Sequence, residues 1–163
     1  MAAVVHGQPN IYCLFLALAA KLLQQDGHLV AITPRSFCNG LYFREFRRWF
    51  FSHVALSHVH LFESRTTTFR EAKVLQENVI ALCRRTGRWL DSVKVTTSHG
   101  RDFPDISEQC VPTSTVMQDT SKEMFVCIPK TPEDAAIIGY AERWPMCFKD
   151  IGLRISTGPV VMF

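Results

Sequence analysis

The sequence lacks the residue spacings that hold metals or form disulfide frameworks. Its six cysteines are scattered, none belongs to a C-x-x-C pair, and none has a histidine at zinc-ligand spacing. Most of them lie in apolar stretches, so we interpret them as small buried side chains in a protein of the reducing cytoplasm. His58 and His60 would share one face of a strand, but no carboxylate or cysteine stands at ligand spacing, so no metal site is predicted.

The sequence also lacks a stretch that would direct it into a membrane. The run IYCLFLALAA is too short to span a bilayer. No lysine or arginine precedes it, and the apolar pattern continues to Leu23 without the boundary of a processed leader, which argues against a secretory signal. We therefore expect no membrane partner.

Acidic residues are scarce in one part of the chain. The formal net charge is +3, but residues 35–88 hold ten Lys and Arg against four Asp and Glu, and the remainder sums to −3. A local excess of arginine suits a polyanionic partner such as a nucleic-acid backbone. A solvated charged face is the alternative interpretation.

The order of the predicted elements indicates an α/β fold. Apolar residues over most of the surface of residues 11–23 predict a helix that packs on a sheet and ends at a glycine cap in QQDG. The segment HLVAIT is apolar and β-branched, which predicts a parallel strand covered on both faces, and Pro34 ends it. NGLYFREFRRWFF predicts a second helix whose apolar face holds Tyr42, Phe43, Phe46, Trp49 and Phe50.

Three further strands are predicted in ALSHVHLF, NVIALCRR and SVKVTTS. Together these elements follow the order of a doubly wound α/β sheet, whose strands lie side by side. Ligands of such sheets bind outside the carboxyl ends of the strands, which places residues 34–37 and 63–69 at the functional edge.

The chain changes character after Arg88. Five prolines divide residues 104–145 into short pieces, and residues 101–163 hold six basic against nine acidic side chains. We infer a boundary there, with residues 1–95 in one domain and residues 96–163 in a small mixed segment.

Five stretches resemble the adenine-specific DNA methyltransferases of type II restriction-modification systems, the gamma class. They are NIYCLF, DGHLVAITPRSFCNGLYFREFR, HLFESR, Phe69 just before VLQENVI, and STGPVV. Each is weak alone, but five in the right order and spacing are specific. The resemblance assigns residues 1–95 to the C-terminal half of the catalytic domain and residues 96–163 to the start of a target-recognition or linker domain, so the chain is expected to be truncated at both ends.

The resemblance implies a fold and a reaction. The fold would be a partial Rossmann-like sheet of an S-adenosylmethionine-dependent methyltransferase. In such enzymes the target adenine is flipped out of double-stranded DNA, and its amino group attacks the methyl group of S-adenosylmethionine. Their Asp/Asn/Ser-Pro-Pro-Tyr/Phe motif and glycine loop have no counterpart here, since no two prolines are adjacent and no G-x-G occurs. We therefore assign no catalytic residue and expect the chain to be inactive alone.

The resemblance also implies roles for individual residues, each with a structural alternative. Phe15 would pack on the adenine ring of S-adenosylmethionine, and Pro34 would border the cofactor; a core position is the alternative for Phe15. Phe69 would stack on the flipped base, and a loop side chain tucked under the edge of the sheet is its alternative. Four basic residues would contact DNA phosphates, unless they are solvated or paired internally: Arg35, Arg65, Arg70 and Lys73.

Other conspicuous residues receive structural roles. The resemblance places three arginines of the aromatic helix against the sheet, away from DNA: Arg44, Arg47 and Arg48. Glu77 and Asn78 belong to a family signature of unassigned chemistry and would hold the link by hydrogen bonds to its backbone.

The sequence thus predicts a fragment of an adenine-specific DNA methyltransferase. A non-catalytic DNA-binding or assembly module, or another Rossmann-like methyltransferase, is the alternative. We further expect either a complementing methyltransferase chain or self-association through an open sheet edge.

Overall fold

The computed structural model describes residues 10–63, 77–99, 103, 105–117, 124–146 and 148–154. Its helical elements are α1 (Ile11–Leu22), α2 (Ser36–Asn39), a 3-10 turn (Leu41–Phe43), α3 (Arg44–His53), α4 (Thr113–Val116) and α5 (Pro132–Glu142). Its strands are β1 (His28–Pro34), β2 (Ala55–Phe62), β3 (Asn78–Arg84), β4 (Ser92–Ser98) and β5 (Ser107–Pro112). The predicted strands are confirmed.

The five strands form one mixed sheet in the order β1-β3-β2-β4-β5. Strands β1 and β2 are each antiparallel to β3, and β2 is parallel to β4, so β1, β2 and β4 all run in one direction. The prediction that β1 is a parallel strand is wrong, because its described neighbour β3 begins at the edge where β2 ends and runs back between β1 and β2.

One face of the sheet, here called the covered face, carries the hydrophobic core. Val79, Ala81 and Cys83 of β3 and Val59 of β2 lie on it and are at most 8% exposed. They belong to one cluster with buried residues of α1, α3 and α4. In α3 the rings of Phe46 and Phe50 stack with centroids 5.2 Å apart. The aromatic helix therefore packs on the sheet as predicted.

The opposite face, here called the open face, contains Val30 and Ile32 of β1, which are 65% and 55% exposed. Their partners on β3, Leu82 and Ile80, are half-buried. The prediction that β1 is covered on both faces is wrong. The apolar residues of a strand indicate that its burial is favoured. Whether another element covers each face depends on segments distant in sequence.

The helical segments differ from their predictions at the ends. The helix predicted to be entered through Asn39 and Gly40 is divided into the 3-10 turn and α3, and Tyr42 in that turn is 81% exposed instead of packed. Gly40 has an extended backbone and separates this turn from α2, which was not predicted. Helix α1 ends at Leu22 with Leu23 as its cap, so no glycine caps it; Asp26 adopts the left-handed backbone in the following turn.

Arg47 is fully buried beneath the chain that follows α4. Its Nε donates to the carbonyl of Met124 at 2.8 Å, and its Nη1 donates to the carbonyls of Phe37 at 2.9 Å and Gly40 at 2.8 Å. The guanidinium also lies 5.4 Å from the ring centre of Phe125. The structural role of Arg47 is confirmed, although its position is inside the core rather than beside it.

The predicted boundary at residue 95 falls inside β4. The sheet extends on both sides of that residue, since β4 pairs with β2 and with β5. The division into two domains stays a prediction.

The five described cysteines are free, and their burial differs. Cys13, Cys38 and Cys83 are buried in the core, as predicted, whereas Cys110 is exposed on β5. Burial raises the pKa of the Cys83 thiol to about 12, which keeps it protonated and unreactive.

Candidate functional site at the carboxyl edge of the sheet

The carboxyl ends of β1, β2 and β4 lie along one edge of the sheet. The register pairs Pro34 with Asn78 across β1 and β3, and Phe62 with Ser98 across β2 and β4. The next pair, Thr97 with Ser107, continues the row to β5. The described residues predicted at the functional edge, 34–37 and 63, therefore follow strands that run in the same direction and end at this edge, whereas residues 64–69 lie outside the described residues.

Arg35 and Glu77 join the chain that leaves β1 to the chain that enters β3. The backbone N–H of Arg35 donates to the carbonyl of Glu77 at 2.7 Å, and Arg35 Nη1 lies 3.3 Å from Glu77 Oε2. Both side chains are about one third exposed, so the ion pair is partly screened by solvent. The expectation that Glu77 and Asn78 hold the link by hydrogen bonds to its backbone stays a prediction, because residues 64–76 of the link lie outside the described residues.

A row of hydrogen bonds runs across β2 and β4 on the open face. His58 Nε2 and His60 Nδ1 each lie 2.8 Å from Thr96 Oγ1, and His60 Nε2 lies 3.1 Å from Ser98 Oγ. Burial lowers the pKa of both histidines, and the neighbouring Lys94 lowers that of His58 further. Both rings are therefore neutral at pH 7, which suits hydrogen bonds to hydroxyl groups.

Aromatic and charged groups continue this row to the edge. The His60 ring centre lies 4.8 Å from that of Phe62 and 5.0 Å from that of Phe103. Beyond them His99 contacts Glu63 Oε2 through Nε2 at 3.1 Å and Asp105 through Nδ1. Hydrogen bonding to Asp105 raises the pKa of His99, and the contact with Glu63 joins the loop after β4 to the end of β2.

A cleft of about 670 Å³ opens beside Arg35. It lies between α2, residues 125–130 and α5, and it has both polar and apolar walls: Arg35, Cys38, Asn39, Phe125, Val126, Cys127, Ile128, Pro129, Lys130, Asp134, Ile137 and Ile138. The backbone N–H of Val126 donates to the carbonyl of Cys38 at 2.9 Å, which holds the two walls together. The edge therefore has space for a ligand next to a guanidinium.

The structure locates three of the predicted site residues. Pro34 ends β1 at the carboxyl edge, and Arg35 follows it. Phe15 lies on α1 with 66% of its surface exposed, so its ring is accessible for stacking rather than part of the core. The other four lie outside the described residues: Arg65, Phe69, Arg70 and Lys73.

Sequence reasoning missed the partners of the histidines. It placed His58 and His60 on one face correctly, but Thr96 and Ser98 become their neighbours only through the parallel pairing of β2 with β4. Phe103 carried no periodic signal, because it lies outside the strands in a left-handed conformation. Over the part of the chain that the structure describes, no three histidine, cysteine or carboxylate side chains gather as metal ligands. No described helix is long and apolar enough to cross a bilayer.

Comparison with known proteins defines the class to which this α/β chain is related. Residues 2–69 match the family model described as Eco57I restriction-modification methylase. That stretch contains α1 and α3 as well as β1 and β2, and the carboxyl ends of these two strands contribute to the edge described above.

Two curated relatives are type II methyltransferases. The chain is 38% identical over 157 residues to the type II methyltransferase M.BsuBI of Bacillus subtilis, and 37% identical over 156 residues to M.PstI of Providencia stuartii. Each alignment covers 94% of this chain and 30% of the relative, so the chain spans less than a third of their length. The resemblance to type II restriction-modification methyltransferases is thereby confirmed, and the chain is related to these enzymes.

A solved structure agrees on the fold. The type IIG restriction endonuclease BpuSI superposes with a TM-score of 0.57 at 15% identity, covering 76% of this chain and 16% of that one. At this identity the agreement concerns the α/β fold alone.

Proposed function

We propose that this chain forms the DNA-facing edge of a cytoplasmic, adenine-specific DNA methyltransferase with a Rossmann-like sheet. The observation that carries the proposal is the alignment of the carboxyl ends of β1, β2 and β4 at one edge, beside a cleft and a guanidinium. The type II methyltransferases to which the chain is similar supply the reaction class.

Phe15 and Pro34 are proposed to form part of the wall of a site for S-adenosylmethionine. Phe15 fits this role because its ring is two thirds exposed and a planar adenine ring can stack on it. Pro34 fits because it ends a strand at the edge where such sheets bind ligands. S-adenosylmethionine, when bound, supplies the methyl group; these two residues would only hold and orient its adenosine portion.

DNA is proposed to lie along the same edge. Arg35 uses Nη1 to contact Glu77, and a guanidinium has five N–H donors, so other donors can reach a phosphate. Arg65, Arg70 and Lys73 are proposed as further phosphate contacts because they lie in the basic part of the sequence. Phe69 is proposed to stack on the flipped base, which has lost its neighbours in the duplex.

Catalysis is proposed to require a second polypeptide or segment. The chain holds no adjacent prolines and no G-x-G, so it has no counterpart of the two motifs that the family resemblance requires for chemistry and cofactor binding. Its own contribution would be to position the base and the DNA.

The activity is tested by co-expressing the full chain with the portion of M.BsuBI that the chain does not match. Plasmid DNA incubated with this pair and S-adenosylmethionine is digested to nucleosides and analysed by mass spectrometry. We expect N6-methyladenine with the pair and none with either partner alone. Methylcytosine would disprove adenine specificity, and the absence of methylated bases from DNA treated with a stable complex would overturn the proposed activity.

The DNA contact is tested with matched substitutions. Arg35→Ala should weaken duplex binding and lower the dependence of log affinity on log salt by about one unit, as for one lost phosphate contact. Glu77→Gln removes the same ion pair without removing the guanidinium, so it should not weaken binding. Lys21→Ala, at the opposite edge, is the control. Equal losses for Arg35→Ala and Glu77→Gln would show that Arg35 acts by pairing rather than by touching DNA.

A non-catalytic DNA-binding or assembly module is the second candidate, favoured by the missing motifs. Calorimetric titration of S-adenosylmethionine into the complex with the M.BsuBI portion separates the two. A complex that binds duplex DNA but takes up no S-adenosylmethionine would favour the module.

A further inference from the structure

The cleft between α2, residues 125–130 and α5, here called the α5 cleft, has a volume of about 670 Å³, which is within the range of small-ligand sites. Two cations line it from distant parts of the chain, Arg35 after β1 and Lys130 before α5. Lys130 stands out because residues 101–163 carry more acidic than basic side chains. A cation from each side makes the α5 cleft suited to an anion.

The carboxylate that lines the α5 cleft, Asp134, serves as a cap of α5. Its Oδ2 accepts the backbone N–H of Lys130 at 2.9 Å and that of Thr131 at 3.2 Å, and its own backbone N–H donates to Thr131 Oγ1 at 3.2 Å. The charge of Asp134 is therefore stabilised by backbone donors and by the positive end of the helix dipole. Over the residues that the structure describes, Lys130 Nζ forms no ion pair, so a half-buried ammonium can meet an incoming anion.

The remaining wall of the α5 cleft is mainly apolar. Phe125 lines it from the segment before α5, and Ile137, which is 66% exposed, lines it from α5 itself. Arg47 Cζ lies over the Phe125 ring, 5.4 Å from the ring centre. Because Arg47 is fully buried, this contact holds the ring from the core side. The α5 cleft therefore combines cations with an aromatic ring that is already fixed in place.

These features match a nucleotide better than other ligands. A nucleotide joins an anionic phosphate to a planar base, so it can use the cations and the apolar wall together. Inorganic phosphate would leave the apolar wall exposed, and an apolar peptide would leave Lys130 without a partner. S-adenosylmethionine carries no phosphate, and the described residues Phe15 and Pro34 do not line this cleft. The α5 cleft is therefore separate from the surface proposed for the cofactor.

We propose that the α5 cleft binds one unpaired nucleotide of a DNA strand, with its phosphate between Arg35 and Lys130 and its base against Phe125. Asn39, exposed at the end of α2, lines the same cleft, and its amide can match the donors and acceptors of the base edge. An unpaired nucleotide is favoured because a base inside a duplex must first leave its stack to reach an apolar wall. Flipping of the target adenine leaves the opposite base without its pairing partner. The inference rests on the proposed function and adds a second contact with the same substrate.

The test measures binding of fluorescein-labelled hexathymidylate to the full chain by fluorescence anisotropy. Lys130→Ala should weaken binding and lower the dependence of log affinity on log salt by about 0.7, as for one lost phosphate contact to a single strand. Phe125→Leu keeps an apolar side chain but removes the ring, so it should weaken binding at least about fivefold. Lys130→Arg keeps the charge and should bind like the parent. Circular dichroism of each variant should match that of the parent.

Lys149→Ala and Phe148→Leu are the matched controls. Both residues are exposed and lie outside the α5 cleft, so their substitution should leave the affinity and its salt dependence unchanged. Binding that tolerates both Lys130→Ala and Phe125→Leu would overturn the proposal. Thymidine monophosphate that binds as tightly as the oligonucleotide would assign the cleft to a free nucleotide, and equally effective displacement by inorganic phosphate would assign it to phosphate alone. Either result would overturn the proposal as well.

DNA methylation by the complex with the M.BsuBI portion is measured separately. Oligonucleotide binding that depends on Lys130, together with a complex that methylates no DNA, would uphold the nucleotide site and refute the proposed activity alone. Formation of N6-methyladenine together with an oligonucleotide affinity that does not depend on Lys130 would refute the nucleotide site alone.

Discussion

The two faces of the sheet carry different kinds of side chains and differ in what covers them, although the same strands form both. On the covered face, Val79 and Val93 are fully buried under α1, α3 and α4. On the open face, Val30 is 65% exposed, and the central strands carry histidines, threonine and serine joined by hydrogen bonds. The covered face therefore supplies hydrophobic stability, whereas the open face combines a polar row with an apolar margin at β1.

This difference shows that an apolar sequence pattern predicts the burial of a side chain only in part. Val30 and Val79 belong to adjacent strands and have the same side chain, but only one of them is covered within the described residues. A β-branched residue in a strand indicates that burial of its side chain would be favourable. The element that covers it can lie elsewhere in the chain or in another polypeptide. Three measurements test this difference between the two faces, beginning with the largest expected change in stability.

Replacing Arg47 by methionine should have the largest effect. The change keeps an apolar stem but leaves the carbonyls of Phe37, Gly40 and Met124 without the guanidinium. Since each buried unsatisfied acceptor costs about 1 to 3 kcal/mol, the free energy of unfolding should fall by about 3 kcal/mol or more. Urea denaturation measures this loss. Arg48→Met, at an exposed position of the same helix, should cost much less, because the contacts of an exposed charge contribute about 1 kcal/mol at most.

The second measurement compares valine-to-alanine substitutions on the two faces. Val79→Ala should cost about 2 kcal/mol, because it removes two methyl groups from a fully buried site. Val30→Ala should cost less than about 0.5 kcal/mol in the chain alone. Both are measured by urea denaturation. Equal losses of stability for the two variants would contradict the distinction between the faces. A larger loss for Val30→Ala once the M.BsuBI portion is bound would show that this portion covers Val30.

The smallest effect concerns pH. Burial lowers the pKa of His60 in the folded chain, so the unfolded chain takes up its proton at a higher pH, and stability should fall as the pH drops below about 6.5. His99 acts in the opposite direction, because Asp105 raises its pKa and the resulting stability is lost as pH rises. Urea denaturation between pH 5 and pH 8 should therefore show a shallower acid loss for His60→Gln and a steeper one for His99→Gln. Unchanged slopes in both variants would refute these assignments.

Much of the edge was predictable because its signals are local. Pro34 ends a β-branched run, and Phe62 ends an alternating one, so the strand ends are visible without a structure. Arg35 was foreseen at the edge, but its contact with Glu77 depends on two segments 42 residues apart. The burial of Arg47 could not be predicted for the same reason. Two of the carbonyl groups that its guanidinium contacts are close in sequence, but the third, that of Met124, is 77 residues away.

The amino-acid sequence alone predicts four of the five described strands and the helices α1 and α3, and it carries the basic character of residues 35–88 and the relationship to restriction-modification methyltransferases. Each of these depends on residue type and short-range spacing, which a chain carries whether or not it is folded. The tertiary structure decided the antiparallel position of β3, the face on which the helices pack, and the partners of His60 and Arg47. These depend on contacts between distant segments, where the free energy is decided by how surfaces fit together rather than by the preference of any single residue.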